Sequence, residues 1–194
     1  MAPLRGTVID VGAAGDPGGE FEFARRCLAA GAEHVIAVDP LFCGQPVRPP
    51  AKVTVVRAAV VPYPLPHWEC LVVTHPPKGS YLGRFPPARP ECQLARRLQA
   101  PVVDLEELMS RFRLNRAALI KMDCEGAEGP ILKSWPGPVA DQVSVEFHDH
   151  LGFPGDPPDH FLQWYRPVRH RAYRRRGRVA HWDSLFVLKD QYRC

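Results

Sequence analysis

The tightest constraint on this chain is a series of short apolar runs, each too brief for a helix and closed by turn-forming residues. Thr7 to Val11 (TVIDV) stops at GAAGDPGG, and Val35 to Val38 stops at Asp39-Pro40. Val53 to Val61, Ala117 to Met122 and Gln142 to Phe147 repeat the pattern. Uninterrupted apolar runs of this length read as strands buried on both faces. Between the first two runs, Glu20 to Ala30 carries Phe21, Ala24, Cys27 and Leu28 at helical spacing, and Gly31 stops it. Strand, helix and strand in alternation predict a mostly parallel sheet with helices on both faces, in a single domain spanning residues 1–194.

Asp104 to Phe112 is amphipathic with Asp104 as N-cap, and Gly126 to Trp135 is a short helix. Pro158 to Tyr173 reads as a helix that Pro167 must kink or split. Arg178 to Trp182 and Ser184 to Lys189 read as an antiparallel pair closing the sheet. Proline, at 22 residues, is about twice the average usage. Its concentration predicts long ordered loops, and residues 62–100 form a proline-rich insertion and candidate lid. Within that insertion Leu71 to Thr74 reads as a hairpin strand and Glu91 to Gln99 as a short helix.

Composition narrows the class. Hydrophobic residues make up 45% and charged residues 24%, an ordinary globular balance with no apolar run of the length a membrane helix needs. The six cysteines form no CxxC pair, so they read as free thiols. With no apolar signal core at the N-terminus, the expected location is the cytoplasm, away from membranes. Arginines crowd residues 166–178, which fits a solvated basic face or an anionic partner. No nucleic-acid-binding signature accompanies them.

The chemistry gathers at strand ends. In open α/β sheets ligands sit beyond the carboxyl ends of the strands. Gly12 and Gly15 after the first strand permit a tight turn and close approach of a ligand, but Ala14 breaks the GxGxxG pattern. The turn suits a nucleoside without a pyrophosphate, and Asp39, ending the second strand, can accept from ribose hydroxyls. LIKMDCEGAE, residues 119–128, then presents Asp123, Glu125 and Glu128 as the fourth strand leaves the core. Their carboxylates should raise the pKa of Cys124 and keep it unreactive. In VSVEFHDH, Glu146 and His148 share a face of the extended chain, followed by Asp149 and His150. Histidine ordinarily titrates near ~6.5, which suits a base at neutral pH, so His148 is the candidate base. Glu146 or Glu125 would orient it or bind the acceptor. These acids and histidines could also hold Mg²⁺ or Mn²⁺, although nothing fixes a ligand spacing and no metal is assigned.

In TVIDVGAAGD, HVIAVDP, VTVVRAAV, PVVDLEELM, LIKMDCEGAE, QVSVEFHDH and DSLFVL the chain resembles class I S-adenosylmethionine-dependent methyltransferases, and more narrowly the FkbM family. The family's K-[IM]-D-x-E-G-A-E block is matched at every fixed position by Lys121 to Glu128. The resemblance implies a Rossmann-like, seven-stranded sheet of order 3-2-1-4-5-7-6 with the last strand antiparallel. It implies that Asp10, Gly12, Ala13, Ala14 and Gly15 surround the methionine end of S-adenosylmethionine. By the same resemblance Asp39 holds the ribose, Leu41 with the Ala58–Ala59 turn flanks the adenine, and Asp123 lies near the sulfonium. No helical segment precedes the first strand to roof the cofactor, so cover is expected from residues 41–52, from 62–100 or from a partner subunit, a homodimer included. The implied activity is O-methylation of a small-molecule or glycan hydroxyl. A non-catalytic cofactor-binding protein of the same fold is the first alternative. An NAD-type oxidoreductase is the second, opposed by the missing GxGxxG.

Overall fold

The computed structural model describes residues 4–15, 21–44, 46–62, 68–75, 81–82, 93–124, 126–148, 157–175 and 178–192. The expected strands form: β1 (Thr7–Val11), β2 (His34–Val38), β3 (Val53–Val56), β8 (Leu119–Met122) and β9 (Gln142–Phe147). With β10 (Tyr165–Arg175) and β11 (Arg178–Leu188) they make one seven-stranded sheet, ordered β10-β11-β9-β8-β1-β2-β3. Numbered within this sheet alone, the order is 3-2-1-4-5-7-6. Strands β3, β2, β1, β8 and β9 run parallel, and β11 lies antiparallel to both β9 and β10. The architecture is the α/β, Rossmann-like class.

Alternation along each strand sends side chains to two cores. Ile9, Val11, Ile36, Val38, Ile120 and Met122 pack on one face with α2 (Leu105–Arg111), α3 (Glu128–Lys133) and Phe161 of α4 (Asp159–Trp164). Val8, Val35, Ala37 and Leu119 pack on the other with Ala24 and Cys27 of α1 (Glu22–Ala29). Both faces are dry, which is why these strands read as continuous apolar runs rather than alternating ones. Asp104 caps α2 as expected, its Oδ1 accepting from Glu107 N at 2.6 Å.

Several expectations are corrected. The run Val53–Val61 is two strands, because the chain leaves the main sheet after Val56. Its continuation, β4 (Ala59–Val60), pairs in parallel with β7 (Gln93–Val103), a strand that covers most of the expected helix at Glu91–Gln99. Pairing with β5 (Trp68–His75) overrides the helix-forming residues of QLARRLQA. Together with β6 (Tyr81–Leu82), these strands build a four-stranded second sheet in order β4-β7-β5-β6, and the hairpin strand expected at Leu71–Thr74 lies within β5, antiparallel to β6. The helix expected over Pro158–Tyr173 ends at Trp164. Tyr165 turns extended because its hydroxyl is held by Ala140, accepting from N at 3.0 Å and donating to O at 3.1 Å, and β10 then pairs along β11. The two strands expected over Arg178–Lys189 are one continuous β11. No helix among the described residues is long and apolar enough to cross a membrane.

Candidate functional site

The carboxyl ends of β1, β2, β8 and β9 meet at one edge, and Gly12 sets how closely. Its φ is +85°, and a Cβ there would lie 1.7 Å from the carbonyl oxygen of Asp123. Only glycine lets the β1 turn and the β8 tip touch in this way. Gly12 N donates to Val38 O, and Asp123 N donates to Val11 O, both at 3.0 Å, so three strand ends are sewn together at this point. Ala13 to Gly15 continue as a single 3-10 turn, with Ala13 buried.

Asp39 occupies the end of β2 with 6% of its surface exposed. Its Oδ2 accepts from Ala14 N at 3.0 Å and its Oδ1 from Leu41 N at 2.7 Å. Burial pushes its carboxyl from 3.8 to about 6, against the pull of those two amides and of Lys121. A carboxylate offers about four acceptor positions. One donor on each oxygen leaves capacity for the two hydroxyls of a ribose, so the residue fits the nucleoside role. Leu41 follows in the turn Pro40–Gly44, and Ala58 and Ala59 lie past the end of β3. All three pack into the core cluster that contains Met122 and Ala127.

Asp10, fully buried, projects from the same sheet face as Val8, and Lys121 Nζ donates to its Oδ1 at 3.1 Å. The two residues are register partners on β1 and β8, so the pair follows from the strand alignment. Lys121 also lies 3.8 Å from Asp123 Oδ2 and 5.3 Å over the Phe23 ring. Lys121 and Asp123 thus form a charged seam between the β1 end and the β9 end.

At the β9 end His148 is buried, 4% exposed. Its Nδ1 lies 3.1 Å from Glu128 Oε1, while Nε2 is 3.9 Å from Asp123 Oδ1 and 3.7 Å from Glu146 Oε1. Glu146 is therefore beside Nε2 but beyond hydrogen-bond length. The short contact to Nδ1 is made by Glu128, which the sequence reading did not single out for this role. Glu125, Asp149 and His150 lie outside the described residues. Glu128 is 2% exposed and also accepts from Cys124 N at 2.9 Å and Gly126 N at 3.0 Å. Gly126, at φ +109°, makes the turn that aims these amides at its carboxylate. The signal in the sequence was the acid two residues past a glycine, at the start of a helix.

Asp123, Glu146 and His148 each offer one donor atom, and the three lie within 4.8 Å of one another, which is a spacing a metal ion could bridge. Cys124 behaves as expected: burial first, then Glu128 and Asp123, push its thiol well above the ordinary range.

A family model described as "Methyltransferase FkbM domain" matches residues 10–175. That span includes the Gly12 turn, Asp39, the Lys121–Glu128 block and His148. No curated protein and no solved structure matches the chain.

Proposed function

Because the chain belongs to the FkbM methyltransferase family, we propose that it transfers the methyl group of S-adenosylmethionine to a hydroxyl of a small molecule or glycan. The observation that carries this reading is the contact of Gly12 with the Asp123 carbonyl, which joins a nucleoside cradle to a cluster of proton-handling side chains. When bound, S-adenosylmethionine supplies a methyl carbon already activated by its sulfonium.

Asp39 would hold the ribose hydroxyls, Leu41 with Ala58 and Ala59 would border the adenine, and the Gly12–Gly15 turn would border the methionine portion. The buried and half-buried carboxylates of Asp10, Asp39 and Asp123 favour a cationic centre over a neutral one. Held there, the cofactor would supply its methyl group to an acceptor oxygen placed in line with it, and His148 would take the hydroxyl proton at Nε2 as the base. Alignment of donor and acceptor contributes ~7–11 kcal/mol, and the base ~10²–10⁴-fold. Glu146 borders the acceptor side.

A second reading has its own observation. The three donors of Asp123, Glu146 and His148 suit Mg²⁺ or Mn²⁺, which would acidify the hydroxyl in place of the base. Unchanged turnover after chelation would remove that reading. The exposed arginines of β10 fit an anionic acceptor, and a flat salt response of binding would count against it. The free cysteines among the described residues, Cys27, Cys43 and Cys124, support a reducing compartment such as the cytoplasm. A homodimer is the arrangement in which a second chain would cover the cofactor.

The test is thermal stabilisation by S-adenosylmethionine, S-adenosylhomocysteine and NAD, followed by a hydroxyl-acceptor library. A ligand at 100 times its dissociation constant should stabilise the fold by ~2.7 kcal/mol. Stabilisation by NAD alone would overturn the proposal. Cofactor stabilisation with no turnover across the library would favour a non-catalytic binding role.

A further inference from the structure

We infer that Glu128 is a positioning residue for His148: it fixes the imidazole orientation and tautomer so that Nε2 faces the acceptor as a proton acceptor. This rests on the reading of His148 as the base. Glu128 Oε1 accepts from Cys124 N and Oε2 from Gly126 N, and Oε1 also meets His148 Nδ1 at 3.1 Å. A carboxylate that takes amide hydrogens on both oxygens is an acceptor at both. The hydrogen in the third contact therefore comes from the ring. With Nδ1 protonated, Nε2 of the neutral ring holds the lone pair. That nitrogen lies on the side of Asp123 and Glu146, each about a third exposed at its side chain, where an acceptor can approach.

The contact is more than local turn chemistry. The two amide bonds close the β8–α3 turn within four residues, but the histidine lies 20 residues along the chain. One carboxylate thus ties the turn carrying Asp123 to the residue just past β9. The base and the seam beside the cofactor cradle are held in one fixed relation.

The experiment compares the wild-type chain, Glu128→Gln, His148→Ala and the double variant. Nitrogen-15 NMR reads the His148 tautomer, calorimetry reads S-adenosylhomocysteine affinity, and kcat is taken with the best acceptor from the hydroxyl library. A glutamine presents one oxygen and one NH₂ group, so it cannot reproduce all three contacts. The expected results are an Nδ1–H tautomer in the wild type, and a mixed or reversed tautomer in Glu128→Gln. That variant should lose roughly 10–100-fold in kcat, no more than the low end of the ~10²–10⁴-fold a base contributes, with affinity for S-adenosylhomocysteine unchanged within about twofold. In the His148→Ala background it should lower kcat no further.

An Nε2–H tautomer in the wild type, or an unchanged tautomer in Glu128→Gln, would overturn the inference. So would equal losses of kcat in both backgrounds. If Glu128→Gln does not fold, Glu128→Asp keeps the charge but withdraws it from the ring, and the same tautomer change is required. If no acceptor turns over, or His148→Ala retains full kcat, the base reading itself fails, while the tautomer still decides whether Glu128 sets the ring.

Discussion

Replacing Asp39 by asparagine removes one buried charge from the end of β2 and almost no volume. In the native protein burial raises the Asp39 carboxyl from 3.8 to about 6. At 1.36 kcal/mol per pH unit, that difference corresponds to about 3 kcal/mol. Because the folded state holds the proton more tightly, the extra stability is fully present below pH 3.8. It is lost as pH rises through about 6 and does not change further above that. Asparagine lacks this dependence. At every pH it offers one oxygen to two backbone donors, Ala14 N and Leu41 N, and losing one contact costs ~1–3 kcal/mol. We therefore predict that Asp39→Asn is less stable than wild type near pH ~4 and close to it at neutral pH, the difference moving by about 3 kcal/mol. Urea unfolding of both proteins at half-unit pH steps measures it, since groups common to both cancel. S-adenosylhomocysteine should nevertheless bind the variant more weakly at neutral pH. A stability difference that stays constant across the range would refute the claim that Asp39 is held as a costly buried charge.

Three further predictions follow from the same edge. Gly12→Ala should cost several kcal/mol, since the left-handed φ alone costs ~1–2 kcal/mol and the new Cβ meets the Asp123 carbonyl; a denaturation midpoint like wild type would show the contact is not tight. Lys121→Met should cost ~3–5 kcal/mol by stranding the buried Asp10 carboxylate, with much of the loss recovered in the Asp10→Asn/Lys121→Met double variant; additive losses in chemical denaturation would refute the pairing. Cys124, half-buried, should alkylate more slowly at neutral pH in the native protein than in the unfolded chain, because partial burial and two acids hold it as a thiol; labelling of the native protein as fast as the unfolded one, located by mass spectrometry, would contradict this.

The sheet was legible wherever a strand is buried on both faces. Val8-Ile9 and Val35-Ile36 leave no polar face for a helix to present, so period and length agree. β7 and β10 were misread because their sequences, QLARRLQA and YRPVRHRAY, are locally helix-tolerant. Their strand state is imposed by partners at Trp68–His75 and Arg178–Leu188, which no local window contains. The site divided in the same way. Gly12, Asp39 and Asp123 sit at strand ends whose phase the sequence fixes. Which carboxylate turns inward to His148 depends on the Gly126 bend and on side-chain reach across two loops. Spacing suggested Glu146 or Glu125 for that role, whereas among the described residues the short contact to Nδ1 comes from Glu128.

The outermost strand of the main sheet, β10, pairs with a neighbour on one side only among the described strands. A bare strand margin is a template on which a second chain can crystallise its own backbone. Here that margin carries Pro167, which has no amide hydrogen to offer, a register break beside it, and exposed Arg166, Arg169 and Arg171. Any copy laid alongside would bring arginine against arginine. The same side chains that would draw an anion to this rim would therefore also oppose a copy pairing along it.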